Sequence, residues 1–210
     1  VTSKPVVGVG RFTSPDTMCS QIQRGVLDLI GGARPSIADP YLPNKIREGR
    51  VEDIRECIGC NICVSSDAFS IPLNCTQNPT ISQEWKRDWH PEIVPSARSK
   101  KNLLVAGAGP AGLEAATVLA RAGHHVTVAD KSTELGGRSV LESRLFGLSA
   151  WSRVADYRLY QLRQMANVDL YTESEIDADA VAEMDVDHTF VATGAHWLSN
   201  GLGSTHFEPI

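Results

Sequence analysis

Runs of apolar residues separated by mixed segments divide the first part of the chain into strands and a helix. Residues 4–9 and 26–30 are apolar and β-rich, and each run is followed by glycine. Between them, Ser14 is a suitable N-cap for a helix at 16–24, which ends at Gly25. Because about sixteen residues connect the two strands, the pattern predicts a βαβ unit with parallel strands.

The same alternation returns in the second half of the chain. The pattern predicts a strand at 103–106, a helix at 110–122 and a strand at 126–129. Strands that alternate with helices are typical of α/β folds with a parallel sheet. The alternation continues with a helix at 150–165, a strand at 168–171, a short helix at 178–183 and a strand at 189–192.

Residues 76–101 lie between these halves and show no clean periodicity. This segment is predicted to be an ordered connector that crosses to the second domain. Trp85 and Trp89 are interpreted as packing residues, and His90 as a structural residue.

Four of the five cysteines fall within residues 57–75. A C-x2-C-x2-C run with a remote fourth cysteine is a ligand pattern for a 4Fe–4S cluster, because the short loop covers three corners of the cubane. Gly59 lets the backbone approach the inorganic sulfides. The candidate metal ligands are Cys57, Cys60, Cys63 and Cys75.

Two other interpretations of these cysteines remain open. Structural zinc prefers two separated C-x2-C pairs, whereas this chain has one crowded triplet and one remote cysteine. Disulfides are typical of small secreted proteins, and the first residues do not resemble a signal peptide.

A second motif follows the strand at 103–106. Gly107, Gly109 and Gly112 form a G-x-G-x-x-G turn that leads into a helix. In this arrangement the first glycine permits the tight turn, the second admits a pyrophosphate and the third permits close helix–strand packing. Asp130, at the end of the next strand, is placed to accept hydrogen bonds from an adenosine ribose and disfavours a 2′-phosphate.

Glycines also follow the two N-terminal strands, and arginines accompany them. Backbone amides at such turns can cradle a phosphate, and Arg34 adds a positive charge. In a (β/α)8 barrel, the loops after strands seven and eight have this role. The alternative is that the glycines are ordinary turn residues and Arg34 a surface charge.

Charge and composition limit the possible partners. A net charge of -5 with a pI of about 5.7 argues against a nucleic-acid or anionic-membrane surface. The apolar run at 103–120 contains Glu114 and a glycine-rich turn, so no membrane span is expected. Free cysteines without an export signal suggest a cytoplasmic location.

Several motifs, taken in order, resemble the iron–sulfur flavoprotein branch of the old yellow enzyme superfamily. They are VGVGR, GGARPSIADP, CIGCNIC, CTQNP, RDWHPE, VAGAGPAGLEAA, ELGGR and VATGA. Within that branch the chain is most similar to the trimethylamine, dimethylamine and histamine dehydrogenases. The second choice is the 2,4-dienoyl-CoA reductase group, which tends towards C-x2-C-x3-C.

The resemblance implies a fragment of a longer α/β enzyme in three parts. Residues 1–55 would be the C-terminal end of an FMN-binding (β/α)8 barrel, 56–101 the 4Fe–4S segment and connector, and 102–210 an incomplete Rossmann-like domain for ADP or FAD.

By motif match, the resemblance also assigns residues to these cofactors. The FMN phosphate would be bound by Gly10, Arg11, Ala33 and Arg34. ADP or FAD would be surrounded by Gly107, Gly109, Gly112, Asp130, Arg138 and Thr193. No catalytic residue can be transferred to this chain, and Cys19 is far from the family's flavin-linking position.

The function implied is that of an amine dehydrogenase. FMN would pass electrons through the cluster to an acceptor that resembles electron-transferring flavoprotein, and the complete enzyme would be a cytoplasmic homodimer acting on a small amine. Two alternatives are an NADPH-dependent dienoyl-CoA or enoate reductase and a non-catalytic electron-transfer or scaffold fragment.

Overall fold

The structure, a computed structural model, describes residues 2–87, 90, 92–195, 198, 200 and 207. Its first part contains β1 (Val7–Gly8), α1 (Pro15–Gln23) and β2 (Leu29–Ile30). The two strands are parallel, as predicted, but each is only two residues long. The predicted cap of α1 is also confirmed, since the Ser14 side chain accepts a hydrogen bond from the backbone amide of Thr17.

Short helices connect this unit to the cysteines. The chain continues through α2 (Ala33–Ala38), α3 (Leu42–Arg47), a 3-10 turn at Val51–Asp53 and α4 (Ile62–Ala68). Neither α2 nor α4 is predicted from the sequence, because six or seven residues carry no measurable apolar stripe. One consequence concerns Ala33 and Arg34, which lie in the first turn of α2 rather than in an open glycine loop.

The second part is a four-stranded parallel sheet with helices around it. Its strand order is β5–β4–β3–β6 and all neighbouring strands are parallel, so each of the three connections between consecutive strands is a crossover that contains a helix. The elements are β3 (Asn102–Ala106), α5 (Pro110–Arg121), β4 (His125–Ala129), α6 (Arg138–Ser143), α7 (Arg153–Arg163), β5 (Val168–Tyr171), α8 (Ala178–Glu183) and β6 (His188–Val191).

The core of the second part lies between this sheet and helices α5 and α7. Val105, Val126 and Val128 of the central strands are fully buried, as is Leu113 of α5. Leu162 of α7 completes the same apolar cluster. Continuous apolar strands are expected where helices cover a parallel sheet.

A buried charged network holds the connector to the first part. The Lys45 ammonium is almost fully buried and pairs with Asp39 at 2.8 Å and with Glu92 at 2.6 Å. Arg55 lies beside Glu92, at 3.8 Å between Nη2 and Oε1, and its guanidinium faces the Tyr157 ring. Because removal of one partner from a buried pair costs about 3–5 kcal/mol, this network fixes the path of the connector.

Aromatic residues of the connector differ in their surroundings. The His90 ring stacks on Tyr41, with ring centroids 5.0 Å apart, and its Nε2 lies 2.8 Å from the Tyr41 hydroxyl. This agrees with a structural histidine. Trp85 is 79% exposed, so its interpretation as a packing residue is wrong in this structure. Trp89 lies outside the described residues.

None of the helices in the described part of the chain has the length and apolar character needed to span a bilayer.

Candidate cofactor sites

The cysteine segment is a loop that turns sharply into α4. Cys57 and Cys60 lie in the loop and are half-buried, whereas Cys63 lies in the first turn of α4 and is buried. Gly59 and Asn61 both adopt left-handed backbone conformations, with φ of 73° and 61°. These two residues let the chain reverse direction within the C-x2-C-x2-C run, which an ordinary helix or strand could not do.

Backbone amides and a hydroxyl surround the sulfur atoms. The Gly59 amide donates a hydrogen bond to Cys57 Sγ and the Gln77 amide donates one to Cys75 Sγ, both at 3.4 Å. Cys60 Sγ lies 3.2 Å from Thr76 Oγ1. Hydrogen bonds of this kind stabilise negative charge on a thiolate ligand.

Cys75 is electrostatically linked to two of the other cysteines. Burial raises the pKa of its thiol, while the amides of Gln77 and Asn78 oppose that increase. Charges on Cys60 and Cys57 raise the pKa further. Thr76 directly follows Cys75 and its hydroxyl contacts Cys60 Sγ, so the fold brings the remote cysteine back to the C-x2-C-x2-C loop.

The arrangement of the thiols bears on the three interpretations of the cysteines. All five cysteines are free, so the disulfide interpretation is wrong. Within the described ranges, no three or more His, Cys, Asp or Glu side chains form a group that could hold a metal ion. A tetrahedral zinc site would need sulfur atoms only about 3.8 Å apart, from a Zn–S bond of about 2.3 Å. In a cubane each thiolate binds a different iron. The preference for a cluster over zinc therefore stays a prediction that rests on the C-x2-C-x2-C spacing with its remote fourth cysteine.

Both arginines expected at the FMN phosphate contact the cysteine loop. The Arg11 guanidinium packs against Gly59, where an added Cβ would lie 3.3 Å from Arg11 Cζ. Arg34 Nη1 donates a 2.7 Å hydrogen bond to Asn61 Oδ1. Gly10 directly precedes Arg11 at the end of β1, and β1 and β2 run in parallel. The two predicted phosphate-binding segments therefore lie at the same end of the strands and beside the cysteines.

The glycines of the second motif have distinct steric surroundings. At Gly107 the φ angle is 102°, and an added Cβ would lie 2.4 Å from the Ala192 carbonyl oxygen. At Gly112 it would lie 1.9 Å from the Gly107 carbonyl oxygen. At Gly109, in contrast, nothing lies within 4 Å. Gly107 and Gly112 are thus required by packing, whereas Gly109 leaves open space at the N-terminus of α5.

The other residues expected around the nucleotide lie near this loop. Thr193 follows β6, and its backbone nitrogen is 3.0 Å from the Cβ position of Gly107. Gly137 packs against Gly109, with 3.0 Å between its Cβ position and Gly109 Cα. Arg138, the next residue, pairs with Glu142 along α6 at 2.5 Å. Arg138 therefore begins a helix beside the loop, and its guanidinium has a protein partner.

Asp130 is held by the glycine loop itself. Its Oδ2 accepts a 2.7 Å hydrogen bond from the Ala108 amide, and its Oδ1 accepts one of 2.8 Å from the Ser132 amide. Partial burial would raise the pKa of this carboxyl, but the amide donors outweigh burial and lower it. The carboxylate therefore braces the turn and stays ionised.

This lowered pKa predicts a pH-dependent contribution to stability. A folded-state pKa below the unfolded value means that the contribution is complete above the unfolded pKa, about 4, and is lost as pH falls through the folded pKa. We expect Asp130→Asn to lower the free energy of unfolding at pH 7, and the difference from the unsubstituted protein to shrink below about pH 4. Urea unfolding at several pH values measures this. Asp185→Asn, at an exposed position, is the control. If the change in unfolding free energy caused by Asp185→Asn depended on pH as strongly as the change caused by Asp130→Asn, the prediction would be contradicted.

Three residues at the junction of the two parts were missed by sequence reasoning. The side chains of Gln77, Arg153 and Arg158 link the cysteine segment to α7. For example, Arg153 Nε pairs with Glu56 at 2.8 Å, and its Nη1 lies 3.3 Å from the Cys57 carbonyl oxygen. Mixed charges along a helix are typical of a solvated face, and no local signal distinguishes the arginines of α7 that turn inward.

A glycine-rich nucleotide loop, a barrel-type βαβ end and four thiols between them define a flavin-dependent type of oxidoreductase. Two family models match the chain. Residues 1–53 match the NADH:flavin oxidoreductase / NADH oxidase family, and residues 101–203 match pyridine nucleotide-disulphide oxidoreductase.

The similarity to individual relatives extends over the cysteine segment as well. Dimethylamine dehydrogenase from Hyphomicrobium sp. (strain x) is 43% identical over 100% of this chain and 29% of its own length. The structure of 6-hydroxypseudooxynicotine amine oxidase from Pseudomonas geniculata N1 is 60% identical with a TM-score of 0.93, covering 100% of this chain and 32% of that one. Histamine dehydrogenase from Rhizobium sp. 4-9 is 54% identical with a TM-score of 0.92, covering 99% and 30%.

A metal reductase, a bilirubin reductase, 2-naphthoyl-CoA reductase and an NADH oxidase match at 34–35% identity, and an alkene reductase/demethylase and cinnamate reductase at 30% and 33%. The chain therefore belongs to the old yellow enzyme-related flavin oxidoreductases, in the branch that contains the dimethylamine and histamine dehydrogenases. It spans about a third of the length of these relatives.

Proposed function

We propose that this chain is the electron-transfer part of an amine dehydrogenase that oxidises a small amine. The observation that carries the proposal is the contact of Arg11 and Arg34 with the cysteine loop. The side chains expected at the flavin phosphate and the loop expected to hold the cluster form one continuous structure.

Two sets of residues would hold the cofactors. Cys57, Cys60, Cys63 and Cys75 would bind a 4Fe–4S cluster, since four soft thiols with amide donors suit that group. The segments at Gly10 and Arg34 would bind the FMN phosphate through amides and guanidinium groups. When bound, the flavin accepts two electrons from a substrate C–H bond and the cluster transfers them singly.

The protein residues contribute position and charge. Arg11 and Arg34 would neutralise the phosphate while they brace Gly59 and Asn61. This keeps the flavin end and the cysteines at a constant separation, which efficient electron transfer needs. The amides of Gly59 and Gln77 offset the negative charge of the thiolates.

The glycine loop would bind ADP or FAD with Asp130 near the ribose. A structural ADP suits an amine dehydrogenase, in which electrons leave through the cluster to a protein acceptor resembling electron-transferring flavoprotein. The complete enzyme is proposed to be a homodimer in the cytoplasm.

A second candidate is an NADPH-dependent enoate or dienoyl-CoA reductase. The observation in its favour is the family match of residues 101–203 to pyridine nucleotide-disulphide oxidoreductase. Asp130 argues against a 2′-phosphate at this particular loop, because a carboxylate repels a phosphate. The 35% identity to the metal reductase and to 2-naphthoyl-CoA reductase is also below the 43–60% identity to dimethylamine dehydrogenase, histamine dehydrogenase and 6-hydroxypseudooxynicotine amine oxidase, although N,N-dimethylglycine/sarcosine dehydrogenase is only 32% identical.

Assay of the intact enzyme distinguishes the two candidates. In the first assay, histamine or dimethylamine is the substrate and an artificial dye is the electron acceptor, in the absence of oxygen. We expect the dye to be reduced only when the amine is present. NADPH with an enoyl thioester is the parallel assay. Turnover only in that second assay would overturn the proposal.

A further inference from the structure

Gln77 connects both ends of the cysteine segment. It is 1% exposed and lies two residues after Cys75, to whose Sγ its backbone amide donates. Its Nε2 donates to the carbonyl oxygens of Glu56 at 3.1 Å and Arg153 at 3.2 Å. Because Glu56 directly precedes Cys57, this single side chain sets the distance between the first and the last cysteine of the segment.

Arg158 is the partner of Gln77 on α7. Its guanidinium is buried and donates to Gln77 Oε1 at 2.9 Å, to the Gln77 carbonyl oxygen at 3.3 Å and to the Val154 carbonyl oxygen at 2.9 Å. Its Nε pairs with Glu114 of α5 at 2.7 Å. Because the planar guanidinium donates to the side chain and the backbone of Gln77 at the same time, it fixes Gln77 in one rotamer. A lysine ammonium could not reach these acceptors together.

The Arg158 guanidinium is almost completely shielded from solvent. Its side chain is 4% exposed, and that of Glu114 is 28% exposed. Water therefore screens the arginine less than it screens a surface charge. Uptake of one electron at the cysteine site adds one negative charge, with no bond made or broken and no proton required. A nearby buried cation and an N–H donor to sulfur both favour the state with the extra electron.

We infer that Gln77 and Arg158 are positioning residues of the four-cysteine site, and that they raise the reduction potential of the cluster bound there. The inference rests on the proposed function, because it requires that the cysteines hold a 4Fe–4S cluster. Gln77 acts through the Cys75 hydrogen bond and the spacing of the segment, and Arg158 acts through Gln77 and through its charge.

The test is an anaerobic redox titration of the intact enzyme, followed by electron paramagnetic resonance of the reduced cluster. Arg158→Met is expected to lower the equilibrium constant for one-electron reduction at least about tenfold, which is about 59 mV. Arg158→Lys keeps the charge and is expected to recover at least half of that shift. Arg163→Met removes the same charge from an exposed position in the last turn of α7 and is the matched control.

Two further variants separate charge from folding. Gln77→Glu keeps the shape, adds a negative charge and removes the donors to Glu56 and Arg153, so a lower potential is expected. Glu114→Gln removes a negative neighbour of Arg158, and a higher potential is expected. A residue with a merely structural role would reduce the amount of folded protein without moving the potential of the cluster that assembles.

The results separate this inference from the proposed function. Unsubstituted enzyme without iron and sulfide would refute the cluster itself. Normal cluster content with unchanged potentials in Gln77→Glu and Glu114→Gln would overturn the inference alone, even if Arg158→Met failed to fold. Equal shifts in Arg158→Met and Arg163→Met would also overturn it, because they would show that only net charge matters.

Discussion

Replacement of Gly112 by alanine is expected to destabilise the second part of the protein strongly, because α5 could no longer pack closely against the glycine loop. The added Cβ would lie 1.9 Å from the Gly107 carbonyl oxygen, and that oxygen belongs to the backbone and cannot rotate away. Gly112 is also buried in α5, where the helix crosses the end of β3. Since forced overpacking of a core costs about 1–3 kcal/mol even when side chains can adjust, we expect a loss of about 3 kcal/mol or more. Urea or thermal unfolding measures the loss.

Gly109→Ala is the matched control for this prediction. Nothing lies within 4 Å of the added methyl group, and its backbone φ of -72° is ordinary for alanine. The free energy of unfolding should therefore change by no more than about 0.5 kcal/mol. Binding of ADP should weaken, because the methyl group enters the space that a pyrophosphate would occupy. Equal stability of the two variants would show that the close approach of α5 to β3 is not essential to the fold.

Replacement of Cys75 by serine is expected to remove the cluster from the intact enzyme. Serine offers a hard oxygen that is protonated at neutral pH, whereas iron–sulfur clusters are held by thiolates. The remote cysteine closes the site, and no other cysteine is available, since Cys19 is exposed on α1. Iron and acid-labile sulfide analysis and the visible absorption spectrum measure the loss.

Cys19→Ser provides the control for the cluster prediction. This substitution removes a thiol at an exposed position and should leave the iron content unchanged. If the Cys75→Ser variant kept its full iron and sulfide content, Cys75 would not be the fourth ligand of the cluster. One zinc ion per chain in the unsubstituted enzyme would favour the zinc interpretation and contradict the cluster predicted from the cysteine spacing.

The nucleotide-binding half illustrates what local sequence can predict. The strands at 103–106 and 126–129 and the helix at 110–122 are confirmed as Asn102–Ala106, His125–Ala129 and Pro110–Arg121. Apolar runs that end in glycines favour a strand–turn–helix unit over other local structures. Here the strand, turn and helix preferences of the residues all agree with the final fold.

Other elements were misjudged because they depend on distant parts of the chain. The apolar run at 4–9 forms only the two residues of β1, since the described residues pair this strand on one side alone. The helices α2, α4 and α6 were not predicted, because each is only six or seven residues long and their residues show no clear helical period. The helix predicted at 150–165 is divided into a 3-10 turn at Ser149–Ser152 and α7.

In the candidate site, too, features set by neighbouring residues are predictable from the sequence, whereas contacts between distant residues are not. The cysteines and glycines of the candidate site stand out in the sequence because they occur at short, regular spacings. The contacts of Arg34 with Asn61 and of Arg158 with Gln77 join residues that are 27 and 81 positions apart. No single sequence indicates which arginine turns inward to meet such a partner.

The link between Gln77 and Arg158 has a consequence for biosynthesis. A polypeptide leaves the ribosome from its N-terminus, so the thiols emerge well before α7 has been made. Arg158 follows Gln77 by 81 residues, and until it arrives the loop lacks the fork that sets its shape. Insertion of the proposed cluster should therefore be a late event in maturation, and a ribosome stalled before α7 would expose a loop of free thiols to oxidants.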